Sequence, residues 1–62
     1  MIKFHATYYR YDDDYEFGID LECSINSIAE SDYSIWEYGF HKASDQAITL
    51  GAMLIKIELI SL

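Results

Sequence analysis

The 62-residue chain has no proline, one cysteine, three glycines and only four lysines and arginines. Each scarcity excludes something. A lone Cys23 cannot form an internal disulfide, and no Cys/His spacing matches a structural metal site. The scattered glycines Gly18, Gly39 and Gly51 make no glycine-rich phosphate loop. Four cations against eleven carboxylates leave a formal net charge of −7. That field opposes direct binding to DNA, RNA or an anionic membrane. The longest apolar run, Ala52–Ile55, falls far short of the ~20 residues of a membrane helix. Lys3, His5 and Arg10 break any apolar run near the start, so no signal-peptide h-region is predicted. A single thiol suits a reducing compartment, and a soluble, cytoplasmic protein is expected.

What remains is an apolar, aromatic and acidic chain. It is 52% hydrophobic and 16% aromatic, too apolar for a disordered acidic tail. With neither a proline nor a low-complexity tract to mark a linker, residues 1–62 read as a single domain. A core of this size supplies roughly 3–5 kcal/mol, so stability must come from close packing or self-association.

Polarity alternates with period 2 at the start. Ile2, Phe4, Ala6 and Tyr8 share one face, and Lys3, His5, Thr7 and Tyr9 the other. After Asp12-Asp13-Asp14 the alternation resumes, with Tyr15, Phe17, Ile19, Leu21 and Cys23 against Glu16, Gly18, Asp20, Glu22 and Ser24. The pattern predicts a hairpin. Two registers keep the apolar faces together: Phe4 against Leu21, or Phe4 against Cys23. The first sets Lys3 opposite Glu22 and His5 opposite Asp20, which charge pairing favours; the second covers Gly18 with Tyr9.

The segment Ile25–Glu30 reads as a loop. From Ser31 the period becomes helical, with Tyr33, Trp36, Phe40, Ala43, Ala47 and Leu50 as one apolar stripe. Ser31 or Asp32 is the expected N-cap and Gly51 the C-terminal stop. Gly39 either admits a close approach to the sheet or weakens the helix by roughly 1 kcal/mol. Ala52–Leu62 reads as a third strand, with Met53, Ile55, Ile57 and Leu59 toward the helix and Leu54, Ile60 and Leu62 outward. The predicted fold is α+β: a ββαβ chain, a three-stranded sheet of order 2-1-3, and one helix packed on one face.

Catalytic and metal chemistry find no footing. Counted from Asp12, a calcium loop would need glycine and glutamate where Phe17 and Cys23 stand. Cys23 and His5 belong to opposite faces of the sheet and cannot pair as nucleophile and base. No enzyme activity, cofactor or metal is expected, and Trp36 and Phe40 read as core rather than as a ligand pocket.

Two surfaces stand out. Eight of the eleven carboxylates lie between Asp12 and Asp32, and no lysine or arginine occurs from Tyr11 to His41. Tyr9, Tyr11, Glu16, Asp20 and Glu22, with Asp12, Asp13 and Asp14 at the hairpin tip, form the candidate partner-binding surface, suited to a basic protein face. The outward Leu54, Ile60 and Leu62 form a candidate homodimer interface. The aromatic-acidic hairpin Tyr8–Phe17 and the helix-to-strand passage Trp36–Leu59 resemble small accessory proteins of phages and mobile elements, including anti-CRISPR inhibitors. The likeness lies in size, charge and layout over the whole chain and assigns no individual residue. It implies an inhibitor that occupies the basic surface of a nucleic-acid-handling partner. The other expectation is a structural or regulatory homodimer whose charge is only solubilising.

Overall fold

The alternating segments form two nine-residue strands, β1 (Ile2–Arg10) and β2 (Tyr15–Cys23), in a computed structural model that describes residues 1–62. They pair antiparallel with Phe4 opposite Leu21, Lys3 opposite Glu22 and His5 opposite Asp20. The register that sets Lys3 by Glu22 and His5 by Asp20 is the one formed, and Tyr9 does not cover Gly18. Tyr11–Asp14 turn the chain, and Asp14 adopts the left-handed conformation at φ 52°, which aspartate tolerates better than most side chains. A third strand, β3 (Met53–Ser61), pairs antiparallel with the other side of β1. The sheet order is β2-β1-β3, as read from the sequence.

The main helix, α2 (Ile35–Leu50), starts later than expected. Its N-cap is Ser34, not Ser31 or Asp32. The Ser34 hydroxyl accepts from the Glu37 N–H at 3.2 Å, and the Glu37 carboxylate accepts from the Ser34 N–H at 3.0 Å. This reciprocal pair satisfies two donors at the helix end, which neither earlier residue could match without a Glu or Gln three positions on. At the other end Gly51 stands at φ 63° and closes the helix. The segment read as a loop forms a short helix, α1 (Ile25–Glu30), capped by Ser24, whose hydroxyl accepts from the Ser27 N–H at 3.1 Å. Burial of Ile28 ties it to the core.

The core forms where α2 crosses the central strand. Gly39 and Ala43, one turn apart and both buried, lie over Phe4 and Tyr8, whose side chains are fully buried. A Cβ on Gly39 would stand 2.5 Å from the Phe4 ring, so the close approach, not a weak spot, explains this glycine. The Tyr8 phenol donates to the Ala43 carbonyl at 2.8 Å, which leaves its buried hydroxyl partnered. Ile2, Cys23 and Ile28 complete the packing around Phe4, and Ala6 around Tyr8.

Two expectations fail here for one geometric reason. Trp36 and Phe40 are not core: they are 53% and 52% exposed. Each is offset from Gly39 or Ala43 by about 60° around the helix. With the helix seated on its small residues, the large ones cover the edge of the core without entering it. Trp36 meets Phe4 edge-on at 6.2 Å between centroids, and Tyr33, ahead of the helix, stacks on His41 at 4.3 Å.

The third strand also departs from simple alternation. Thr7 pairs with Lys56 but Tyr8 with Leu54, which leaves Ile55 unmatched; Phe4 pairs with Leu59 but Lys3 with Ser61, which leaves Ile60 unmatched. Each bulge resets which face the next residue takes. Leu54, expected outward, packs into the core with Ile57 and Leu59. Met53 and Ile55, expected toward the helix, are exposed along with Ile60 and Leu62.

Gly39→Ala gains roughly 1 kcal/mol of helix propensity but overpacks a buried ring at a cost of roughly 1–3 kcal/mol. The expected net result is a lower urea midpoint. The same substitution should cost less in a Phe4→Leu background. A raised midpoint for Gly39→Ala alone would show that the helix does not depend on this approach.

Candidate partner-binding surface

Because α2 covers one face of the sheet, the side chains of opposite parity line an uncovered face. Across β1 and β2 these are Lys3 with Glu22, His5 with Asp20, Thr7 with Gly18, and Tyr9 with Glu16. From β3, Glu58 lies opposite His5, Lys56 opposite Thr7 and Met53 opposite Tyr9. Glu16, Asp20 and Glu22 therefore share a single exposed row, which runs on the order of 20 Å along β2 at ~3.4 Å per residue. Glu58 joins the face from the far strand. Its isolation from the acidic hairpin in sequence hides its place beside it.

Partners within the protein engage the acids of this face only in part. The His5 imidazole bonds Asp20 through Nδ1 at 2.8 Å and lies against Gly18, where any Cβ would collide with it. Lys56 stands 3.6 Å from Glu58. Glu16 and Glu22 make no ion pair, although Lys3 is the cross-strand neighbour of Glu22.

The hairpin tip divides its three aspartates. Arg10 has the parity of the core side chains, so it leaves β1 on the helix side. Its guanidinium lies over the Phe17 and Tyr15 rings at 5.4 and 5.6 Å and grips Asp13 in two bonds of 3.0 and 2.7 Å. Those bonds hold the Asp13 carboxyl below its usual range. Asp14 instead accepts from the Tyr9 phenol on the open side, and that bond raises the Tyr9 pKa above the ordinary phenol value. Tyr11 packs edge-on against Tyr9 at 5.0 Å and points its hydroxyl at the Met53 sulfur, 3.5 Å away. Asp12 is exposed at the apex without a partner. Of the eight residues predicted for this surface, Tyr9, Tyr11, Asp14, Glu16, Asp20 and Glu22 come together; Asp12 lies beyond them and Asp13 is turned to the other face.

Such a face can attract, orient and hydrogen-bond a cationic partner. It holds no cavity and no cluster of three potential metal ligands. Cys23 lies buried on the other side of the sheet from His5, and burial raises its thiol pKa, with Lys42 opposing weakly. No helix is long and apolar enough to cross a membrane. Comparison of the chain with protein-family models, curated proteins and solved structures finds no match.

The depressed Asp13 pKa fixes the sign of a pH effect. The Arg10 pair adds stability above the unfolded carboxyl pKa of about 3.9, and that contribution disappears as pH falls through the lower folded value. Urea midpoints followed from neutral pH into the acid range should fall more steeply for the natural chain than for Asp13→Asn. Parallel curves would mean the ion pair is not formed in solution.

Proposed function

We propose that this is a non-enzymatic binding protein, an inhibitor that docks its acidic, tyrosine-bearing sheet face onto a basic, nucleic-acid-binding surface of a cytoplasmic partner. The observation that carries the proposal is the row of Glu16, Asp20 and Glu22 on an uncovered face, with Glu16 and Glu22 free of any cation. Glu22 follows Asp20 at ~6.6–6.8 Å, while Gly18 interrupts the row and sets Glu16 about twice as far from Asp20, against one phosphate per ~3.4 Å along each DNA strand. The row thus imitates a phosphate path in sign and direction at less than half its density. A field of this sign speeds encounter with basic surfaces. Tyr9 and Tyr11, packed together at one end of the row, add amphipathic contact area of the kind found at binding hot spots.

A bait carrying the natural chain should retain basic proteins from lysate at low salt and release them at high salt. Glu16→Lys, Asp20→Lys and Glu22→Lys together should abolish that retention, and the captured partner should lose bound DNA or RNA when the protein is added. Retention undiminished by the three reversals would overturn the proposal.

A second reading, a homodimer, is favoured by the apolar flank of α2. Trp36 and Phe40 stand exposed on α2, and the edge strand β3 exposes Ile55 and Ile60. These side chains and Leu62 exceed the scattered apolar exposure of an ordinary monomer. Leu54 takes no part, being packed inward. Sedimentation should show a dimer that Trp36→Gln with Ile60→Thr converts to monomer; a natural chain that sediments as monomer contradicts this reading.

A further inference from the structure

The two edges of the sheet differ. β3 carries two bulges, a device that blunts strand pairing. β2 is a regular run of nine residues with no bulge, and its outer side has no neighbouring strand. No turn, cap or side chain of the protein hydrogen-bonds to the backbone of β2. Every second residue of Tyr15–Cys23 therefore presents an unpaired N–H and C=O outward, the template that strand addition uses.

Two rows of side chains flank that edge. On the open face stand Glu16, Asp20 and Glu22. On the helix face stand Phe17, Ile19 and Leu21, packed against the core yet incompletely buried, because α2 sits over β1 and leans toward β3. An added strand would cover this second row with apolar side chains while facing the first with charge.

The acids disfavour a second copy of the chain as the occupant. Antiparallel self-pairing that keeps the open faces together sets opposing residue numbers at an even sum. A sum of 38 puts Glu16 against Glu22, 36 puts Glu16 against Asp20, and 40 puts Asp20 against itself. Like charges directly opposite are destabilising, so each of these registers is disfavoured. Cationic side chains in the same positions reverse the sign.

We infer that the free edge of β2 accepts an extended segment of the partner as a fourth strand, cationic at alternate positions toward the open face and apolar between them. This deepens the proposed function and rests on its acidic face, but assigns the backbone edge of β2 as the docking element.

The test uses the intact protein and a capped nine-residue peptide of alternating lysine and valine. Two further versions are N-methylated on one or the other alternate set of backbone amides. Altering the peptide leaves the fold of the protein untouched. The parent should bind with salt sensitivity and slow amide exchange within Tyr15–Cys23. One methylated version should bind at least about tenfold more weakly, corresponding to about 1.4 kcal/mol, while the other, methylated on the outward amides, matches the parent. Equal binding by all three would overturn strand addition but leave electrostatic docking standing. Equal weakening of both methylated versions, or no binding by the parent, would also overturn it. Binding of the parent that survives the three charge reversals would instead remove the role assigned to the acidic face.

Discussion

Seating α2 on β1 through Gly39 and Ala43 is the constraint from which the rest of the molecule follows. Two small helix residues receive the Phe4 and Tyr8 rings of the central strand, and the Tyr8 hydroxyl fastens the second contact to the Ala43 carbonyl. Only nine residues are buried, and Ile2, Phe4, Ala6, Thr7 and Tyr8 of one strand supply five of them. The accessible surface, 4233 Å², still matches the about 4,100 Å² expected of a folded monomer of this mass. The chain is compact with a core little thicker than one strand. Apart from Thr7, all its burial lies on one side of the sheet, which leaves the opposite face uncovered by any helix and displaces Trp36 and Phe40 to the flank.

Charge scarcity then decides the character of the bare face. Arg10 serves Asp13 on the helix side, Lys56 lies near Glu58, and His5 bonds Asp20. Exposed pairs of this kind contribute little stability, but they determine which carboxylates remain free. Glu16 and Glu22 do, on either side of Asp20. The same seating leaves the helix face of β2 thinly covered, so the acidic strand is also the one with an unsatisfied edge. Charge, backbone and half-buried apolar side chains meet along β2.

The hairpin, its register and the strand order were legible because two periodicities and two cross-strand polar pairs agree. Phe4 opposite Leu21 satisfies the apolar face and sets Lys3 by Glu22 and His5 by Asp20 at once. Gly51 was legible for a similar reason, a glycine placed just after the last residue of the helical stripe. The reading missed whatever depended on tertiary fit. The Ser34-Glu37 capping pair is present in the sequence, but a longer apolar stripe drew the helix back to Ser31. Ser24 and Ile28 are too few to announce α1 without the core that Ile28 enters. Bulges at Ile55 and Ile60 leave no mark in a strand apolar on both faces, so Leu54 was assigned to the wrong side. Hydrophobicity ranks Trp36 and Phe40 above Gly39 and Ala43 as core residues, whereas close approach favours the smaller pair. For the surface, face and sign were readable, but the turning of Asp13 toward Arg10 and the free edge of β2 were not.

Hydrogen exchange on the complex with a captured basic partner tests the central claim most directly. Protection gained on binding should concentrate in β2, from Tyr15 to Cys23, and extend to Tyr9 and Tyr11. Protection confined to α2 around Trp36–Phe40 and to the end of β3 near Ile60, with β2 exchanging as in the free protein, would contradict it.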